Sequence, residues 1–520
     1  MGQEPRKPAR QSKRKRNAGQ ATSKLLLDDQ LDWCQPIYAD APVTPVDDDG
    51  IQAIHDASMA VLEDIGVLFL NDAALTVFEQ HGCDVDWDSK RVRMDRAFVM
   101  AQVAKAPSTI TVTPRNPDRA LIFGGRYFNF GQVASPPNVM DLDQGRRIGT
   151  RADFQNFLKL AQAYNCIHFN CGYAVEPMDM HPSIRHLDGL FDMLTLTDKV
   201  VHAYALRTER IEDAMEMVRI GAGLTHEAFE EKPRMFTNIN STSPLKHDWP
   251  MLDGAMRMAA RNQMVVVSPF TLAGAMAPVT LAGALTLQNA EGLAAIALLQ
   301  AVRAGAPVIY GAFTSNVDMK TGAPAFGTSE FVRAMQISGQ MARMYGIPLG
   351  ASNANAANAL DAQAVWESAF SLQGSCSGGA NLIYHAAGWM EGGLSASFEK
   401  FVIDCEMLQQ TIYSQRPITV DKSTLALDAI AEVGPHGHFF ACDHTQQRYR
   451  DAFYMPLLSD WRNYEAWLDD GGFWAHQRAQ KHYKTVIDEY VAPPLDSGNW
   501  DQLVDFVARR KEEGGAPTDF

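Results

Sequence analysis

The stretch "MVVVSPFTLAGAMAPVTLAGALTLQNAEGLAAIALLQAVRAGAPVIYGAF", Met264 to Phe313, places two short apolar runs on either side of a long segment with helical periodicity. A strand, a helix and a second strand in that order form the βα unit that builds parallel sheets. Working outward, the same rhythm recurs. Strand candidates are Ile167–Tyr173, Val200–Leu206, Arg234–Ser241, Met264–Phe270, Pro307–Phe313, Ile347–Ser352 and Asn381–Ala386, with helical segments between them. Such regular units favour a (β/α)8 TIM-type barrel over an open doubly wound sheet. The eighth strand is expected either before Ile167 or after Pro417. No G-x-G-x-x-G follows any of these strands, which argues against dinucleotide binding.

Around this core the texture changes. Residues 48–80 carry Ile51, Ile54, Met59, Val61 and Leu62 at helical spacing, interrupted at Gly66, and the stretch up to Asp141 is punctuated by "PRNPD" and "SPP". The reading is a basic tail and linker over 1–40, helices and hairpins over 41–150, barrel over 151–460 and a helical extension over 461–520. The tail holds seven Lys/Arg against Glu4 in its first 17 residues, leaving 39 basic and 60 acidic side chains in the body. An acidic body disfavours a nucleic-acid enzyme. With 46% apolar and 21% charged content the 520-residue chain reads as globular. It shows neither a signal peptide nor a run of about 20 apolar residues, so the expectation is a cytoplasmic protein without membrane attachment. Seven scattered cysteines without a C-x-x-C pair imply free thiols.

A barrel carries its chemistry at the C-terminal ends of its strands. There the sequence supplies His202 and Tyr204, Asn238 and Asn240, Phe270, Tyr310 and Phe313, Asn353, Tyr384 and His385, with Trp389 just beyond. Those ends are aromatic and largely neutral, which suits a quaternary ammonium held by cation–π attraction. No strand end pairs histidines with a carboxylate, so no protein-bound metal is expected. The cluster "GPHGHFFACDHT", with His436, His438, Cys442, Asp443 and His444, reads either as a ligand set or as a turn leading into a short strand.

The strand "PVIYGAF", the small-residue loop "TSNVDMKTGAPAFGTSE" running into a helix, and "ANLIYHAAGWMEGGLSASFEKFVIDCEM" together resemble the trimethylamine methyltransferase superfamily over roughly residues 51–464. Archaeal founding members of that family carry pyrrolysine in the corresponding loop. Here Asp318 to Gly327 holds ordinary residues, with Thr321 and Gly322 nearest. The resemblance implies a non-pyrrolysine member that moves a methyl group from a quaternary amine, glycine betaine foremost, to the Co(I) of a corrinoid on a partner protein. Carnitine, proline betaine and choline are the alternative substrates. A metal-dependent barrel hydrolase and a betaine-binding protein without turnover are the alternatives of another class. The loop, with Thr321, Gly322 and Gly327, is expected to roof the barrel, its glycines allowing close approach of a flat corrin ring. His385 is the first candidate for the substrate carboxylate, with His202 and the helix start at Gly327–Glu330 behind it. Glu330 is a candidate to face the cation or to cap its helix. The C-terminal helices are expected to pack on the barrel or on a second subunit, giving a homo-oligomer.

Overall fold

The computed structural model describes Leu27 and residues 30–518. Six parallel strands form one sheet: β1 (Asn129–Gln132), β2 (Phe236–Ile239), β3 (Met264–Val267), β4 (Val308–Gly311), β5 (Leu349–Ser352) and β6 (Leu382–Ala387), in the order β1-β6-β5-β4-β3-β2. The segments around Phe169 and Val200 lead from one edge of this sheet to the other. They do so by isolated parallel bridges, Gly131–Phe169, Phe169–Val200 and His202–Phe236. Backbone hydrogen bonds follow the same path, from His168 N–H to Phe130 C=O at 2.7 Å, Asn170 N–H to Val200 C=O at 2.9 Å and Ala203 N–H to Phe236 C=O at 3.0 Å. Eight parallel segments thus follow one another in the arrangement of a TIM-type barrel.

Two expectations change. The eighth segment is β1, which lies inside the stretch 41–150 assigned to helices and hairpins, so the expected barrel start at 151 falls within the barrel's own sequence. Polar Asn129 and Gln132, both buried, mask it as a loop. The helix Leu281–Val302 has 22 residues and is long and apolar enough to cross a membrane. It instead lies in the core with Gln288, Asn289 and Glu291 buried along it.

Side chains alternate along each strand. Phe169, Val200, Phe236, Met264, Val266, Ile309, Leu382 and Tyr384 form one cluster inside the ring. Their neighbours Val265, Val267, Val308, Tyr310, Leu349 and Ile383 join the main core under the helices. The inner cluster is completed by Ile110, Val112, Leu121 and Phe123 from the hairpin Thr109–Val112/Leu121–Gly124. A chamber opens at the strands' C-terminal ends.

The helices used below are α1 (Pro182–Leu196), α2 (Thr208–Gly221), α3 (Leu281–Val302), α4 (Ser329–Tyr345), α5 (Ala362–Gly378), α6 (Phe398–Ser414) and α7 (Ser497–Glu512). Local chemistry sets their ends. Thr328 caps α4 by accepting the Phe331 N–H, and Gly346 ends it in the left-handed conformation. Asp361 and Gly379 do the same for α5. From the C-terminal region, α7 docks on α1 and α2 through Arg510–Asp213 at 2.7 Å and Lys511–Asp188 at 2.6 Å. The "GPHGHFFACDHT" stretch forms a turn, a 3-10 segment Phe439–Ala441 and a short helix, not the short strand expected. The basic run of the tail lies outside the described residues.

Candidate functional site

A chamber of about 300 Å³ opens where the strands end. Asn238 and Asn240 reach it from β2, Ser268 and Phe270 from β3, Ala312 and Phe313 from β4, Gly350–Ser352 from β5, and Tyr384 and His385 from β6. Trp389, Gly392 and Gly393 follow β6 to the rim; Cys171, His202 and Tyr204 come from the two bridged segments.

Tyr384 and His385 are consecutive and yet share the chamber. A regular strand would send them to opposite faces. Here the pairing of β6 with β1 shifts between Ile383 and Ala387, and His385 takes a φ of 56°. The bulge turns the second ring inward, at the cost that left-handed backbone imposes on a residue with a Cβ.

The rings form a continuous wall. Phe313 lies 5.3 Å from Phe270, 5.4 Å from Phe326 and 5.9 Å from His385 between centroids, and His385 lies 4.0 Å from Trp389. Trp389 is held by its indole N–H on Asn355 C=O at 3.2 Å, and by Gly393, where a Cβ would come within 2.7 Å of the indole. Among the described residues, no Asp, Glu, Lys or Arg lines the chamber.

Polar atoms also stand among these rings. His202 Nε2 accepts the Asn238 N–H at 3.2 Å, which puts the imidazole hydrogen on Nδ1. That Nδ1, the Tyr384 hydroxyl and Asn238 Oδ1 are buried without a hydrogen-bond partner. Buried polar atoms are ordinarily paired by protein or by water, and no described residue pairs these three. His385 Nδ1 is engaged with Ser352 Oγ at 2.7 Å. Tyr204 Oη meets Ser135 Oγ at 2.8 Å and accepts the Tyr173 N–H at 3.2 Å. Burial pushes His202 and His385 down to about 3, so both are neutral at physiological pH. Burial also raises the Tyr384, Tyr204 and Cys171 acids well above their usual range. The chamber's described lining is therefore uncharged and combines aromatic faces with hydrogen-bonding groups.

Of the residues singled out from sequence, His202, Tyr204, Asn240, Phe270, Phe313, Tyr384, His385 and Trp389 line this chamber. Tyr310 does not. It lies on the helix-facing side of β4, its hydroxyl donating to Asn289 Oδ1 at 3.0 Å. Asn353 is buried past the end of β5, with its amide on Ala386 C=O at 3.0 Å. Glu330 is exposed in the first turn of α4 and bonds Ser329 Oγ, while Thr328 does the capping. Thr321 and Gly322 form the exposed tip of a hairpin, Ser315–Val317/Pro324–Ala325, closed by Thr321 Oγ1 on Asp318 Oδ2 at 2.7 Å. Gly327 makes its close approach to α5, where a Cβ would collide with Glu367. The loop's contribution to the chamber is Phe326, missed in the sequence although it is a large apolar side chain between small residues. Cys171, Ser135, Ser268 and Ser352 were missed as well, because nothing distinguishes a small polar residue at a strand end.

Among the described residues, no three His, Cys, Asp or Glu side chains gather as a metal-binding group, and His436, His438 and His444 are no exception. Within the chamber the soft donors are His202, His385 and Cys171, two of them already committed to hydrogen bonds.

Fold and chamber define a (β/α)8-type barrel whose mouth offers an uncharged aromatic site for a small molecule. The trimethylamine methyltransferase family profile matches residues 6–515. A glycine betaine methyltransferase of Desulfitobacterium hafniense strain Y51 is 36% identical over 469 residues, covering 90% of this chain and 97% of the relative. A trimethylamine methyltransferase MttB of D. hafniense strain DCB-2 is 30% identical over 475 residues, covering 90% and 94%. A proline betaine:corrinoid methyltransferase of Eubacterium limosum is 26% identical over 436 residues, covering 82% and 89%. The chain belongs to the trimethylamine methyltransferase family and is a methyltransferase.

Proposed function

We propose that the protein transfers one methyl group from a quaternary ammonium carrying a carboxylate, glycine betaine foremost, to the reduced cobalt of a corrinoid on a partner protein, releasing dimethylglycine. The observation that carries this reading is the uncharged chamber whose described lining combines aromatic rings with unpartnered polar atoms. A trimethylammonium has no N–H to donate and is held by the negative faces of Phe270, Phe313 and Phe326. Its carboxylate, a few bonds away, is met by the Nδ1–H of His202 and the hydroxyl of Tyr384. This moves the anion role from His385, engaged with Ser352, to His202. Two relatives named for betaines, one with glycine betaine and one with proline betaine and corrinoid, support the substrate class.

The reduced corrinoid, as methyl acceptor, supplies the nucleophile. The leaving amine departs neutral, so the chamber needs no proton donor. What remains for these residues is to orient the substrate and exclude water. Carnitine and proline betaine share the charge pattern of glycine betaine, whereas choline would leave the donors without an anion. In this reading the chain works in the cytoplasm beside its corrinoid partner.

Equilibrium binding tests the reading. Glycine betaine is expected to bind at least tenfold more tightly than 3,3-dimethylbutanoate, its isostere with carbon in place of the cationic nitrogen, and more tightly than choline. Equal affinity for the isostere would remove the cation from the account.

A further inference from the structure

A second chamber, of about 260 Å³, lies behind the first and shares His202 and Tyr204 as its wall. Its character is opposite. Glu176, Arg185, His186 and Arg210 line it between α1 and α2. The chain beyond α7 lies across it: Ala516 N–H bonds Ser183 C=O at 2.8 Å, Arg210 donates to Pro517 C=O at 3.0 Å, and Thr518 joins the lining.

Within it, charges of both signs stand close together. Arg185 Nη1 meets Glu176 Oε1 at 2.5 Å, and burial raises the Glu176 carboxyl while Arg185 opposes that rise. Arg185 Nε and His186 Nδ1 are buried without hydrogen-bond partners; His186 Nε2 is taken by Asp213 at 2.8 Å. Arg185 Nη2 donates to Met180 C=O at 2.9 Å, so its Nε–H is the unpartnered donor; a carboxylate able to accept an N–H⁺ beside a guanidinium N–H able to hold an anion matches a zwitterion with a proton on its nitrogen.

We infer that this second chamber is a binding site for a small protonated-ammonium carboxylate, the chemical class of the demethylated product. Identifying that class with the product rests on the proposed function; the site itself does not. A quaternary ammonium has no proton to give Glu176 and gains nothing there over the aromatic chamber. A tertiary ammonium donates one N–H⁺ to Glu176 and leaves its carboxylate to the Nε–H of Arg185. The two chambers on either side of Tyr204 thereby separate methylated from demethylated molecules by whether the nitrogen carries a hydrogen.

The test is titration calorimetry of the full chain with N,N-dimethylglycine, alone and under saturating glycine betaine. Dimethylglycine is expected to bind one equivalent that glycine betaine does not displace. Glu176→Gln should weaken it about tenfold while glycine betaine affinity stays unchanged, which also reports an intact fold. Phe313→Ala, in the other chamber, should leave dimethylglycine affinity within twofold even if the betaine reading fails. Displacement of dimethylglycine by glycine betaine, absence of binding, or indifference to Glu176→Gln would each overturn the assignment.

Discussion

His385 and His202 line one chamber in different hydrogen-bonding states. One is engaged with Ser352; the other has an imidazole N–H with no hydrogen-bond partner among the described residues. Both depend on staying neutral. A histidine depressed to about 3 by burial takes up its proton only near that pH, below any working range. The hydroxyls and the thiol are shifted the other way, so nothing lining the chamber changes charge near neutrality. Glycine betaine affinity is therefore expected to vary less than twofold between pH 5.5 and 8.5, measured by calorimetry. A tenfold fall toward pH 5.5 would mean that one of these histidines titrates near its ordinary value.

At the scale of elements, the strand-end rings were legible because a barrel concentrates chemistry there and because apolar runs mark the strands. The phase of each strand was not. Tyr310 and Phe313 look alike in "PVIYGAF", but barrel register sends Tyr310 to the helices and Phe313 to the chamber. The bulge at His385 also has no mark in the sequence, since its left-handed backbone is imposed by tertiary pairing. The glycine loop reads as a roof whose glycines allow close approach of a corrin ring, whereas the two glycines answer different demands. Gly322 has a φ of 76° with open space around it, and Gly327 has a φ of 70° with Glu367 of α5 against it. Gly322→Ala is expected to cost about 1 kcal/mol, the left-handed penalty alone. Gly327→Ala adds overpacking and should cost about 3 kcal/mol or more. Denaturant midpoints for the two variants measure the difference, and equal costs would show that α5 yields.

For the whole molecule, the hairpin plug fills the inside of the ring and the bridged segments join the two edges of its sheet. Within that ring β1 was hard to see, since a strand rich in Asn, Gly and Gln reads as a turn until its partners are known. The region from 418 to 474 has a different lesson. Ile418, Phe440, Phe453, Trp461 and Trp474 are between 67% and 90% exposed, more apolar surface than a monomer ordinarily leaves to water. Sedimentation velocity is expected to show a dimer or larger species at micromolar concentration. Phe440→Ser with Phe453→Ser should lower its mass, and a monomer throughout would assign this surface elsewhere.

Methyl transfer from the aromatic chamber is tested most directly by mixing the protein anaerobically with free cob(I)alamin and following methylcobalamin by absorbance, with glycine betaine and trimethylamine in parallel. The account predicts methylcobalamin from glycine betaine and none from trimethylamine, with the rate at limiting substrate at least tenfold lower in Phe313→Ala. Turnover of trimethylamine instead, or a Phe313→Ala variant as fast as the parent, would contradict it.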